Sequence, residues 1–369
     1  MKILVIWRLL TVGGVNAGWR NRAIHFKKYG IETEFLYTKD HGGLHIMEDV
    51  AKVYLTKNKK EIVQIIKENH YDVIIVVDTA PAYEWLQEAG YKGPVLVEAR
   101  TPELKKLIRH LKSFEGIRPR AIIVPSNYQK RLVSILTDGI PIHLIYNGVE
   151  TSFYRALSKE EIHFHKDPIL RDGKKIIGWI GRLDKRKNWQ MLMEIAKKVK
   201  ETRKDIRFWV IGGAQSVQRD EFAKKRLEEG LDDIIDWYPV IPYQDMPHMY
   251  AKIRESGGCT LATTKTESFG NTFIESMVCG VPVVAPNMMP MSEIIKDGET
   301  GLLYTQNKTD DCLKKLYQIL DDQALHEKMS NAAIQHVKEH FTIEKVAKEY
   351  IQLLQSLFLH PTGERGNGS

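Results

Sequence analysis

Cysteine is scarce in this chain. Its 369 residues hold three, Cys259, Cys279 and Cys312, and none has paired or metal-ligand spacing. A disulfide framework is excluded, which fits a reducing cytoplasm. Long apolar runs are missing too, and none reaches the roughly 18–20 residues that span a bilayer. The opening run Lys2–Trp7 is too short for a signal-peptide core and leads straight into a turn, so it reads as a first buried strand. No Asp-x-Asp pair stands near a strand end, and no acid cluster suits Mg²⁺. Nucleic-acid motifs and aromatic-interleaved basic platforms are also lacking, although the net charge of +7 favours an anionic partner or a merely basic soluble protein.

What is present is a 43% apolar chain long enough for two domains. Apolar runs at 73–77, 121–124 and 176–180, with 206–211 broken only by Arg207, have the character of strands covered on both faces. Helical segments separate them, which predicts open parallel sheets with helices on both sides. Ligands in such sheets bind at the carboxyl ends of the strands. The alternation breaks over about 150–174, a polar segment with Pro168 and Gly173 that reads as a hinge. The expected domains are 1–155 and 156–340, with a helix at 341–359 returning towards the first domain and a disordered, Gly-rich tail at 360–369.

Three strand-end motifs carry chemistry. Gly13-Gly14 follows the first strand, where glycines let backbone N–H groups approach a phosphate or sugar, or merely make the turn. Gly181-Arg182 with Lys187 follows the strand at 176–180; a guanidinium fork and an ammonium there suit a diphosphate, and a solvated loop is the other reading. Over 263–303, Glu267 precedes a turn at Gly270, and Asn271 and Thr272 open a short helix that holds Glu275. A third acid, Glu293, follows the next strand. Carboxylates flanking a helix N-terminus suit a ligand with both a diphosphate and hydroxyls.

In their order along the chain these motifs resemble those of the GT-B glycosyltransferases of family GT4, the glycosyl transferases group 1. Gly13-Gly14 matches the N-terminal glycine loop, and Tyr146–Glu150 is similar to the segment that ends the first domain. Gly181-Arg182-Leu183 with Lys187 matches the phosphate element, Glu267 and Glu275 the two-glutamate motif, and Gly298–Leu303 the loop beyond it. The resemblance implies two Rossmann-like domains facing a central cleft. It also implies retaining, metal-independent transfer of a hexose-type sugar from a UDP- or GDP-sugar to a glycan, glycolipid or cell-envelope precursor. Arg182 and Lys187 would hold the diphosphate and Glu267 the sugar, with Phe269, Gly270, Asn271 and Thr272 lining both. Glu275 would bond the ribose, and Tyr238–Ile241 would face the base.

Two positions depart from the family. Glu98 stands where the family often carries a histidine near the reacting sugar, so it either serves that sugar or forms a structural bridge with Arg100. Met288-Met289-Pro290-Met291 replaces a glycine pair. The basic segment 102–120, with Lys105, Lys106, Arg109, Lys112, Arg118 and Arg120, is either a dock for an anionic membrane or a solvated face. The expected protein is cytoplasmic, peripheral on the inner membrane face if that segment docks, and needs no cofactor beyond its donor. The competing readings are a nucleotide-sugar epimerase of the same architecture and a non-catalytic nucleotide-sugar-binding protein.

Overall fold

The computed structural model describes residues 1–11, 14–114, 116–164 and 173–359. The chain divides into two compact units, Met1–Gly148 together with the chain from Ile343 on, and Val149–Thr342. The first unit opens with β1 (Lys2–Thr11), α1 (Gly14–Lys28), β2 (Glu32–His41), β3 (Lys52–Leu55), α2 (Lys59–Glu68) and β4 (Val73–Val77). It continues through α3 (Ala82–Glu88), β5 (Val95–Glu98), α4 (Leu104–Leu111), β6 (Ala121–Val124), α5 (Asn127–Leu136) and β7 (Ile142–Leu144). Its strands form one parallel sheet in the order β3-β2-β1-β4-β5-β6-β7. All five residues of β4 are buried, as helices on both faces require. Asn58 caps α2 by accepting the Lys60 N–H at 3.0 Å, and Ser126 caps α5 by accepting that of Gln129 at 3.1 Å.

The second unit runs through α6 (Lys159–Phe164), β8 (Lys175–Ile180), α7 (Trp189–Thr202), β9 (Ile206–Ile211), α8 (Arg219–Glu228) and β10 (Ile235–Tyr238). Then come α9 (Met246–Glu255), β11 (Cys259–Leu261), α10 (Asn271–Val278), β12 (Val283–Pro286), α11 (Met291–Ile294) and β13 (Leu302–Tyr304). α12 (Thr309–Asp321) and α13 (Gln323–His340) finish this unit, and α14 (Ile343–Leu359) ends the described chain. The second sheet is also parallel, in the order β10-β9-β8-β11-β12-β13. In both sheets the order reverses beside the first strand, which opens a crevice at the strands' carboxyl ends.

Several boundaries differ from expectation. β1 extends to Thr11, carried by pairing with β2 as far as His41. β3 was not expected; it is an edge strand with no fully buried residue, so its apolar signal is weak. The polar stretch after residue 150 includes α6, whose Ile162 packs with Leu157 and Ala251. The chain passes from the first unit to the second at Gly148, ahead of the expected break after residue 155. Residues 149–155 are held within the second unit: the Val149 N–H donates to the Phe341 carbonyl at 2.8 Å, and the Tyr154 ring meets those of Tyr243 and Tyr250. The tail at 360–369, expected to be disordered, lies outside the described residues.

α14 belongs to the first unit. Its buried Val346, Ala347, Tyr350, Ile351, Leu353 and Leu354 recur at helical spacing, which makes one apolar stripe. Tyr350 meets Trp19 and Phe26 of α1 edge-on or tilted, each with ring centroids 5.6 Å apart.

Beneath this aromatic contact lies Glu98, with no exposed surface. Arg100 grips its carboxylate with a fork, Nε at 2.8 Å and Nη2 at 2.9 Å. The Trp19 indole N–H donates to it at 3.2 Å, and the Arg22 guanidinium lies at 3.5 Å. Burial alone would push the Glu98 carboxyl up, but Arg100 and Arg22 more than offset it and hold it below the usual range. Of the two readings for this position, the Glu98–Arg100 bridge is the one formed. Catalysis by Glu98 is not supported, because both oxygens are taken and none of the residue is exposed. Glu98→Ala should strand two buried guanidinium groups and cost about 3–5 kcal/mol in urea unfolding; a loss under 1 kcal/mol would refute the structural role.

Candidate functional site

The second unit gathers most of the expected site residues at its switch point, where β8 and β11 lie side by side. Loop 181–188 follows β8 and loop 262–270 follows β11, and hydrogen bonds join the two. The Lys265 N–H donates to the Arg186 carbonyl at 2.8 Å. The Thr263 hydroxyl reaches the Lys187 carbonyl at 2.8 Å while accepting the Trp179 indole N–H at 2.9 Å. Thr264 reaches the Arg186 carbonyl at 3.2 Å. Within the first loop, the Asp184 carboxylate accepts the Lys187 N–H at 2.8 Å.

This framework places the Lys187 ammonium directly on the Glu267 carboxylate, with both side chains largely shielded from solvent. Arg182 lies at the start of the same loop, its guanidinium 3.4 Å from Asp184 and its side chain 67% exposed. An exposed guanidinium with one loose partner is available to an anion. A pocket lined by Lys187, Thr263, Thr264, Thr272 and Phe273, among others, opens between these loops and the start of α10.

Gly270 caps α10 with φ of +105°, a left-handed conformation that L side chains rarely adopt. A Cβ there would lie 2.4 Å from the Phe273 ring, so the turn that starts the helix requires glycine. The first-turn N–H groups of α10 point out of the helix, and its dipole favours negative charge at that end. Asn271 and Thr272 form this turn and are half-buried. Phe269 differs from expectation: its ring is buried against Phe341, with centroids 5.8 Å apart, so only its backbone can line a ligand.

Glu275 lies one turn into α10, half-buried, with its carboxylate accepting the Tyr250 hydroxyl of α9 at 3.1 Å. Burial pushes its carboxyl up to about 7, and the Tyr250 bond only partly opposes that. Glu293 is half-buried in the first turn of α11. Tyr238 ends β10 against Trp209, and the Val240 beyond it is 70% exposed.

Gly14 is the first residue of α1 in the first unit, and Gly13 lies outside the described residues. Sequence reasoning missed Asp184, Thr263, Thr264 and Tyr250. The threonine pair directly after an apolar strand was a usable signal. Nothing local marks Tyr250, whose contact with Glu275 arises only when α9 and α10 pack.

The Glu275 shift has a definite sign. Folding raises its proton affinity, so its contribution to stability is full below the ordinary value of 4.5 and is lost as pH rises through about 7. Wild type should therefore lose melting temperature relative to Glu275→Gln between about pH 4.5 and 7. Parallel curves for the two proteins would refute the shift.

Residues 160–336 match the family model of the glycosyl transferases group 1. The D-inositol 3-phosphate glycosyltransferase of Thermobifida fusca is 24% identical over 260 residues, 67% of this chain and 58% of that protein. Its counterpart from Arthrobacter sp. is 32% identical over 168 residues, 45% of this chain and 39% of that protein. The match thus spans well under two thirds of either curated relative. Among solved structures, Anabaena HepE in complex with UDP-glucose superposes with a TM-score of 0.84 at 18% identity, over 96% of this chain and 100% of that one. The sucrose-phosphate synthase of Thermosynechococcus elongatus superposes with 0.81 at 16% identity, over 97% and 99%. Two parallel Rossmann-like units, matched along nearly their whole length by these structures, make the chain a GT-B-fold protein related to the glycosyl transferases group 1.

Proposed function

We propose that this chain is a retaining glycosyltransferase that moves a hexose-type sugar from a nucleoside-diphosphate donor to a hydroxyl acceptor. The observation that carries the reading is the Lys187–Glu267 contact beside the N-terminus of α10, with the exposed Arg182 on the same loop. A diphosphate arriving there meets two cations and a helix dipole, which supply its counter-charge without a metal. Lys187 then turns from Glu267 to a phosphate oxygen, and the released carboxylate accepts a sugar hydroxyl. Glu275 accepts from the ribose diol, and Tyr238–Ile241 faces the base. The backbone at Phe269–Thr272 lines the sugar and phosphate.

In the reaction the anomeric carbon–oxygen bond to the diphosphate breaks, and a bond to the acceptor oxygen forms on the same face. The acceptor proton passes to the leaving phosphate, so no separate base is required. The first unit, with Gly13-Gly14 after β1, takes the acceptor, a glycan, glycolipid or cell-envelope precursor. UDP and UDP-glucose, the ligands named with Anabaena HepE, make a uridine donor the first to test and a guanosine donor the second. Arg182→Ala and Lys187→Ala should each lower donor turnover by about 10²-fold or more while melting cooperatively. Unchanged turnover in both would end the diphosphate assignment.

The same reading places the protein in the cytoplasm, in peripheral contact with an anionic membrane through 102–120. α4 supports it: Leu107, His110 and Leu111 are buried, whereas Lys105, Lys106, Arg109 and a 51%-exposed Leu104 face outward. Among the described residues no helix is long and apolar enough to cross a membrane. The full chain should co-sediment with vesicles rich in anionic phospholipid and not with purely zwitterionic ones. Lys105→Glu with Lys106→Glu should weaken that binding several-fold. Equal sedimentation with both vesicle types would refute the contact.

A further inference from the structure

The loop between β12 and α11 has no place in the chemistry described so far. It runs from Asn287 to Pro290 at the carboxyl end of β12. β12 pairs with β11, matching Thr260 to Val283 and Leu261 to Val284, so this loop neighbours the one that carries Glu267. Gln306 ties the two together. Its side-chain amide N–H groups donate to the Lys265 carbonyl and to the Met288 sulfur, each at 3.1 Å. On the other side of the loop the Ser292 hydroxyl donates to the Met289 sulfur, also at 3.1 Å.

Both methionines are half-buried, and Pro290 and Met291 beneath them are buried. A thioether sulfur is a weak acceptor, and here each already has a donor. Hydrocarbon is therefore the part of each side chain left to meet a ligand. Pro290 has no N–H to offer. A hexose hydroxyl set against this surface would leave water without a replacement hydrogen bond, whereas a methyl group would leave it at no such cost. Methionine also moulds itself to small apolar groups.

We propose that Met288 and Met289 form an apolar wall of the donor-sugar subsite and select a sugar that turns a methyl group towards it. The methyl belongs to a 6-deoxyhexose or to an acetamido substituent. This inference rests on the donor reading above and names the class of sugar within it.

The test uses the full chain and two measurements. Bare UDP, GDP and dTDP are first titrated, which reports nucleotide binding without a sugar. On the nucleotide that binds, two methyl-bearing donors are then each compared with the parent hexose of the same configuration: the N-acetylhexosamine (UDP-N-acetylglucosamine against UDP-glucose, for example) and the 6-deoxyhexose (GDP-D-rhamnose against GDP-mannose, or dTDP-6-deoxyglucose against dTDP-glucose). The methyl-bearing donor should bind about 10- to 100-fold tighter, the range a small apolar pocket can supply. The acetamido and deoxy pairs tell the two methyl sources apart. Met288→Gln with Met289→Gln should bring the ratio close to one, and Met288→Leu should keep it. Affinity for the bare nucleotide reports that each variant is folded. A chain that binds nucleotide yet fails to favour the methyl-bearing donor, or keeps its preference in the double glutamine variant, overturns this inference alone. A chain that binds no nucleotide overturns the donor reading and this inference with it.

Discussion

One ammonium held against one carboxylate, Lys187 on Glu267, is the contact around which the loops of the second unit are arranged. Neither group is placed by its own side chain alone. Asp184 fixes the backbone at Lys187, and the hydroxyls of Thr263 and Thr264 fasten one loop to the carbonyls of the other. The Trp179 indole then fixes Thr263 from below. Such anchoring fixes the backbone that carries both charges, so only the two side-chain ends have freedom to move.

The two units share the same strand order through their first six strands, and each has a reversal point beside its first strand. They fill its surroundings differently. In the second unit the edge is lined by hydroxyls, the exposed Arg182 and the first turn of α10. In the first unit, the carboxyl end of β5 is occupied by Glu98, clamped by Arg100 and Arg22 under the aromatic rings of α1 and α14. A guanidinium fork on a buried carboxylate is rigid and costly to break, which suits a support and not a group that must exchange partners.

Much of this was legible in the chain. Runs such as Val73–Val77 and Ala121–Val124 read as strands because a parallel sheet covered on both faces needs continuous apolar residues. Glu267, Gly270 and Glu275 were legible as a set because their spacing follows from one turn and one helix start. β3 was not, since an edge strand buries too little to show. The fate of Glu98 was open, because three of its four neighbours, Trp19, Arg22 and Tyr350, lie far from it in sequence. Tyr250 was hidden for the same reason. The sulfurs of Met288 and Met289 acquired partners only through Gln306 and Ser292, one of them a whole strand away.

The return of α14 also sets an order of assembly. The second unit occupies one unbroken stretch, Val149–Thr342, whereas the first is made of two stretches that bracket it. A ribosome moving along the message completes the second unit while the first still lacks the ring of Tyr350 against Trp19 and Phe26. The part synthesised first is therefore the part finished last. Until residue 350 emerges, the apolar face of α1 that α14 covers has no partner from its own unit, and a nascent chain that stalls early displays it.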